Sequence, residues 1–176
     1  MPGMYEFSNV WNFPVLSVLL YLPLAGAVFL IFFISKEKSN LIRWFANIVA
    51  FLDMLISLAM VPYFDSSKLT MQFSERFVWI PSLGIQYLLG VDGISFVLIL
   101  LTTVLGFIAI LSSWNAIQVR VKEYYVFMLI LQTGMLGVFA ALDFVLFYIF
   151  WEVMLVPMYF LIGVWGGTRR IYAALK

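Results

Sequence analysis

Five apolar runs, each about as long as a helix needs to be to cross the hydrocarbon core of a bilayer, leave this chain almost no other architecture. They fall at about residues 14–34, 41–64, 93–114, 124–142 and 144–165. In lipid every backbone N–H and C=O must find a partner inside the protein, and a helix supplies all of them within one segment. The chain is 65% hydrophobic and 11% charged, with a mean hydropathy of +1.07, which is not the composition of a soluble domain. The expected fold class is an all-α polytopic membrane protein: five transmembrane helices plus the start of a sixth at 168–176, in one membrane domain over 1–176.

The connections set the topology. Little more than Asp143 separates the fourth and fifth spans, so these two are expected to form a tight antiparallel pair. The one sizeable loop, 65–92, contains "RFVWIPSLGIQYLL", two β-prone runs around a Pro-Ser-Leu-Gly turn. A short external β-hairpin and an irregular loop both remain open here. Its aromatics Phe77, Trp79 and Tyr87 suit the headgroup level. Lys36, Lys38, Arg43, Arg120, Lys122, Arg169, Arg170 and Lys176 fall on one side of the spans, and only Lys68 and Arg76 on the other. Short basic loops stay cytoplasmic, so the N-terminus is expected outside. With no Lys or Arg before Lys36, the first helix is expected to be mature structure rather than a cleaved leader. The closing "GGTRRIYAALK" resembles a turn and a helix that stops early, as in a fragment.

Ten basic and nine acidic residues give a net charge of +1, scattered through short loops with no patch to track phosphates, so nucleic acid is not expected as a partner. There is no Cys and no His, which removes thiolate chemistry, Fe–S clusters, haem with a His ligand and His-containing zinc sites. Any chemistry is left to carboxylates, amines, hydroxyls and water.

Polar groups inside the spans are therefore the candidates. In "FYIFWEVMLVPMYF" (147–160), Glu152 sits in a span whose thirteen Leu, Ile, Val and Phe residues, at about −0.3 to −0.6 kcal/mol each, outweigh about +3 kcal/mol for a central ionised acid. Insertion is thus tolerated but not explained, because Leu would insert better. Pro157 lacks an N–H and deprives the Val153 carbonyl of its helical partner, beside the acid. At 100° per residue Tyr148, Glu152, Tyr159 and Gly163 share one narrow face, expected to meet other helices rather than lipid. A movable cation near Glu152 would switch it between holding and releasing a proton. The plainer account makes Glu152 an interhelical hydrogen bond, Tyr148 and Tyr159 packing residues, and Pro157 a tolerated kink. Asp53, near the middle of span two, is open to two readings, a structural hydrogen bond or a secondary water path; Ser57 lies one turn on, and Asn47 is expected on a different face. Gln132, Thr133, Thr102 and Thr103 read as interhelical glue, with Gly134 and Gly137 allowing close approach. Asp92 and Asp143 read as helix N-caps.

Three stretches, "LGVDGISFVLILLTTVLGFIAILSSW" (89–114), "FAALDFVLFYIFWEVMLVPMYFLIGVWGG" (139–167) and "RRIYAALK" (169–176), resemble the N-terminal portion of the antiporter-like subunit M of respiratory complex I, the proton-pumping NADH:quinone oxidoreductase; the mitochondrial counterpart is subunit 4. The resemblance implies a proton-moving membrane subunit. It holds no cofactor itself, while partner subunits bind NADH, flavin, Fe–S clusters and quinone. It implies neighbouring antiporter-like subunits and lipid as partners, and Glu152 as the fifth-helix carboxylate that works with a lysine on a later helix. No lysine lies inside any span here. Asp53 has no counterpart that the resemblance supplies. A subunit of a multisubunit cation/proton antiporter or membrane-bound hydrogenase, or a scaffold fragment that transports nothing, are the other readings.

Overall fold

The computed structural model describes residues 13–167 and Arg170; the expected sixth helix lies outside the described residues. The element order is α1 (Val15–Phe33), α2 (Ser39–Ala59), β1 (Gln72–Ile80), β2 (Ile85–Val91), α3 (Gly93–Ala116), α4 (Val121–Ala140) and α5 (Phe144–Trp165). All five helices are long and apolar enough to cross a membrane. Span two ends earlier as an α-helix than the apolar run suggests: α2 stops at Ala59, and Pro62 sits in a 3-10 turn over Val61–Tyr63, where a ring without an N–H is accommodated. Span four begins at Val121 rather than 124, drawing Lys122 and Glu123 into its first turn.

Both expected caps are present. Asp92 and Ser95 form a reciprocal capping box at α3, with Ser95 N–H donating to Asp92 Oδ1 (2.8 Å) and Asp92 N–H donating to Ser95 Oγ (2.9 Å). Asp143 Oδ1 accepts from Val145 N–H (2.9 Å) and Leu146 N–H (3.2 Å) at α5.

The external loop is a hairpin, not an irregular connection. β1 and β2 pair antiparallel, and the Pro81–Leu83 turn closes through Gly84 at φ 69°, a left-handed conformation that favours glycine. A register shift near Gln72–Glu75 accompanies a positive φ of 52° at Phe73, a bulge that re-aims the side chains. The base of β1 is buried between the helix ends, while Phe77 and Trp79 near the tip are exposed, as a headgroup position requires.

Helices α1 to α4 enclose two apolar clusters. One, at the hairpin end, is built on Leu16, Leu19, Leu20, Met60, Phe96 and Leu136; the other, at the basic end, on Ala27, Leu30, Ile42, Ala46, Ile110 and Leu129. Between them lies a polar layer containing Asp53, Ser57, Thr103 and Gln132. Helix α5 attaches to this bundle through α4, as the expected tight pair. The contact is glycine-made: a Cβ on Gly134 would stand 2.9 Å from the Met154 backbone, and one on Gly137 would overlap the Phe150 ring. Only 17% of the α5 span is buried, against 50% for α4, so α5 keeps a broad uncovered face.

Candidate functional site

That uncovered face carries the polar stripe. Helix α5 runs unbroken through Pro157, whose ring is buried, and Tyr148, Glu152 and Tyr159 are all exposed on the chain's surface. Among the described residues, α1 to α4 and the hairpin leave Glu152 uncovered, so the helices that its stripe is expected to meet are not among them. The one polar contact it makes is local. The Tyr148 hydroxyl, one turn back, interacts with the Glu152 carboxyl, the i,i+4 geometry that a helix gives for free. A carboxyl on an apolar, partner-less face, eight residues into a 22-residue helix, is unsuited to lipid and suited to a covering helix with a cation or water.

Asp53 is placed differently, fully buried in the layer between α2, α3 and α4. Gln132 Nε2 on α4 donates to its Oδ2, and one turn on, Ser57 Oγ and Thr103 Oγ1 lie 2.6 Å apart between α2 and α3. Gln132 and Thr103 thus act between helices, as their sequence positions suggest. Thr102 and Thr133 do not, since their hydroxyls donate back to Leu98 O (2.7 Å) and Leu129 O (3.2 Å) within their own helices. Asn47 is also buried, on a different face of α2 beside Phe107 and Leu111 of α3, and its Nδ2 donates to Arg43 O (2.9 Å).

Sequence reasoning missed two charged residues. Arg43, counted as a loop cation, is only 7% exposed, and its Nη2 donates to Ile117 O (2.9 Å) and Gln118 Oε1 (3.0 Å) where α3 ends. It lies inside the apolar run at 41–64, and that was the available signal. Glu75 is 3% exposed and sits on the start of α1, accepting from Leu16 N–H (2.8 Å), Ser17 N–H (3.2 Å) and the Ser17 hydroxyl. Tyr87 completes the cluster through Ser17 Oγ (2.8 Å). No alternation pattern finds Glu75, because the bulge buries Ser74 and Glu75 together.

Burial pushes the Glu75 carboxyl above its ordinary 4.5, although its donors from Ser17 and Leu16 pull the other way. Burial likewise raises the Tyr87 phenol. Since the folded protein holds the Glu75 proton more tightly than the unfolded chain, this group supports folding most fully below about 4.5, and that support is lost as pH rises through the folded value. Glu75→Gln, an isostere that does not titrate, is expected to flatten this part of a stability-versus-pH curve measured on the full-length protein. An unchanged slope would assign it to other groups.

Among the described residues no group of His, Cys, Asp or Glu is arranged to hold a metal ion.

Comparison with known proteins follows the same lines. Residues 141–176 match the family described as NADH:quinone oxidoreductase/Mrp antiporter, TM. The chain is 39% identical over 168 residues to NADH-quinone oxidoreductase subunit M of Rickettsia typhi, covering 93% of this chain and 34% of that protein. It is 43% identical over 166 residues to the subunit M of Rhodobacter capsulatus, covering 92% and 32%. The chain therefore spans about a third of the length of the curated relatives it matches. Among solved structures, respiratory complex I from Thermus thermophilus with bound NADH aligns with a TM-score of 0.73 at 22% identity, over 90% of this chain and 31% of the matched one. The Mrp complex from Dietzia aligns with a TM-score of 0.72 at 19% identity, over 91% and 17%. Both establish a shared fold, five membrane helices with a small two-stranded sheet.

Proposed function

Because this chain is a relative of the antiporter-like subunit M of NADH-quinone oxidoreductase, we propose that it forms part of a proton-translocating membrane subunit of such an enzyme, with Glu152 as the group that takes up and releases the proton. The observation that carries this reading is the placement of Glu152. It stands mid-span on the uncovered face of α5, beside Tyr148, with Pro157 breaking the hydrogen-bond ladder one turn on.

On this reading the chain serves transport, and oxidation of NADH and reduction of quinone belong to partner subunits carrying flavin, Fe–S clusters and quinone. The relatives are about three times as long, and on this reading a further helix covers α5 and brings a lysine that sets the proton affinity of Glu152. Tyr148 orients the carboxyl. Tyr159 and Gly163 extend the polar strip along α5. The basic ends at Lys36, Lys38 and Lys122 support an orientation with that side of the bundle in the cytoplasm and the hairpin outside, in a bacterial cytoplasmic membrane.

A cation/proton antiporter is the second reading, favoured by the family description that joins the two classes. Purifying the full-length protein from its native membrane separates them. The oxidoreductase reading expects NADH oxidation with quinone reduction to travel with it, whereas sodium-dependent proton exchange without NADH oxidation would establish the antiporter.

A further inference from the structure

Six buried side-chain N and O atoms among the described residues find no hydrogen-bond partner in the protein, and five lie where α2, α3 and α4 meet. They are Arg43 Nε, Asn47 Oδ1 and Asp53 Oδ1 on α2, and Tyr125 O–H and Gln132 Oε1 on α4. Arg43 and Tyr125 also interact with each other, which leaves Asn47 Oδ1, Asp53 Oδ1 and Gln132 Oε1 without any partner. An orphaned buried polar atom costs about 1–3 kcal/mol, and three acceptors suit water, since each molecule donates twice.

We propose that a file of water runs between α2 and α4 from the basic end of the bundle to Asp53, making Asp53 a second proton-binding carboxyl, separate from Glu152. Helices α2 and α4 both begin at the basic end, so Arg43 and Tyr125, each four residues into its helix, lie at one level and interact. Asn47 is one turn deeper. Asp53 and Gln132 meet deeper still. At about 1.5 Å per residue the distance from Arg43 to Asp53 is roughly 15 Å, a length that about five waters span at ordinary hydrogen-bond spacing.

The seam is closed at its far end. Beyond Asp53 come the Ser57–Thr103 pair and then the hairpin-end cluster, with Met60, Phe96 and Ile99 tightly buried. Water that enters at Arg43 therefore ends at Asp53. Gly106 on α3 lets the Gln132 amide pack close against that helix, since a Cβ there would stand 2.7 Å from Gln132 Oε1.

The charged and titratable groups facing this file are few. On α2 there is Arg43, held by Asn40, Ile117 and Gln118. Helix α3 carries no ionisable side chain. On α4 there are Tyr124 and Tyr125, with Lys122 donating to Ile31 O and Ile34 O and Glu123 paired to Lys36 at 3.0 Å. Helix α1 contributes only Tyr21, in the hairpin half. Among the described residues no cation sits beside Asp53 to neutralise it, so its charge state follows protons delivered by the file.

A closed acid–amide pair is the competing arrangement, with a proton on Asp53 Oδ1 donated to Gln132 Oε1. It satisfies Asp53 and Gln132 and leaves Asn47 Oδ1 orphaned. Two measurements on the full-length protein in its complex decide. The first is electron cryomicroscopy at water-resolving quality, expected to show ordered waters against Asn47 Oδ1, Asp53 Oδ1 and Gln132 Oε1. A dry seam with Asp53 directly on Gln132 overturns the proposal. The second uses the absence of cysteine from the chain. A thiol at Asn47→Cys should react with aqueous silver ion about tenfold or more faster than one at the lipid-facing Ile48→Cys, because only a hydrated thiol ionises readily. Equal rates would contradict the file. Neither measurement depends on pumping through Glu152.

Discussion

NADH-driven proton translocation is expected to fall to background when Glu152 is replaced by Gln in the complete enzyme, with the complex still assembled. Gln has nearly the volume of Glu and retains an oxygen that accepts from Tyr148, so α5 should pack as before. What it lacks is a titrating group. Purely structural hydrogen bonding would survive the change, whereas transport would not, and pumping by inverted membrane vesicles measures the difference. Asp at the same position keeps a carboxyl on a shorter arm and should retain part of the activity. Wild-type pumping by Glu152→Gln would remove Glu152 from the mechanism.

Gly134→Val is expected to cause a large loss of stability. A Cβ at Gly134 meets the Met154 Cα and N at 2.9 Å, and backbone atoms of a packed helix have no rotamer to escape into. The α4–α5 pair must separate, at a cost of about 1–3 kcal/mol or more for overpacking. Met154 is two residues from Glu152, so the same displacement moves the carboxyl away from its covering partner. Thermal unfolding of the purified protein in detergent should therefore shift down, and residual assembled enzyme should pump poorly. Gly93→Ala, with nothing within 4 Å of the added atom, should do neither.

Much of this arrangement is legible from periodicity and caps. The α5 boundaries at 144 and 165 follow from Asp143 as N-cap and the run of apolar residues, and the hairpin from two β-prone segments around a turn that ends on Gly84. The interhelical role of Gln132 was visible because an amide inside a span needs a partner. Which partner it chose was not, since Asp53 is 79 residues away and only the parallel packing of α2 beside α4 brings them together. Glu75 was hidden for a local reason, a bulge at Phe73 that breaks the two-residue alternation on which strand reading relies. The outward stripe on α5 is the opposite case. The helical wheel placed Tyr148, Glu152 and Tyr159 together correctly, but a wheel says nothing about which neighbour a face meets. That depends on chain beyond the bundle described.

The central claim is that Glu152 holds an exchangeable proton inside the membrane. Reaction with a lipid-soluble carbodiimide tests it directly, because such reagents attack the protonated carboxyl. In the assembled complex, mass spectrometry should find the adduct on Glu152, and proton pumping should fall in proportion to its yield. Glu152 left unmodified across the range in which the enzyme is active, or fully modified with pumping unimpaired, would contradict the account.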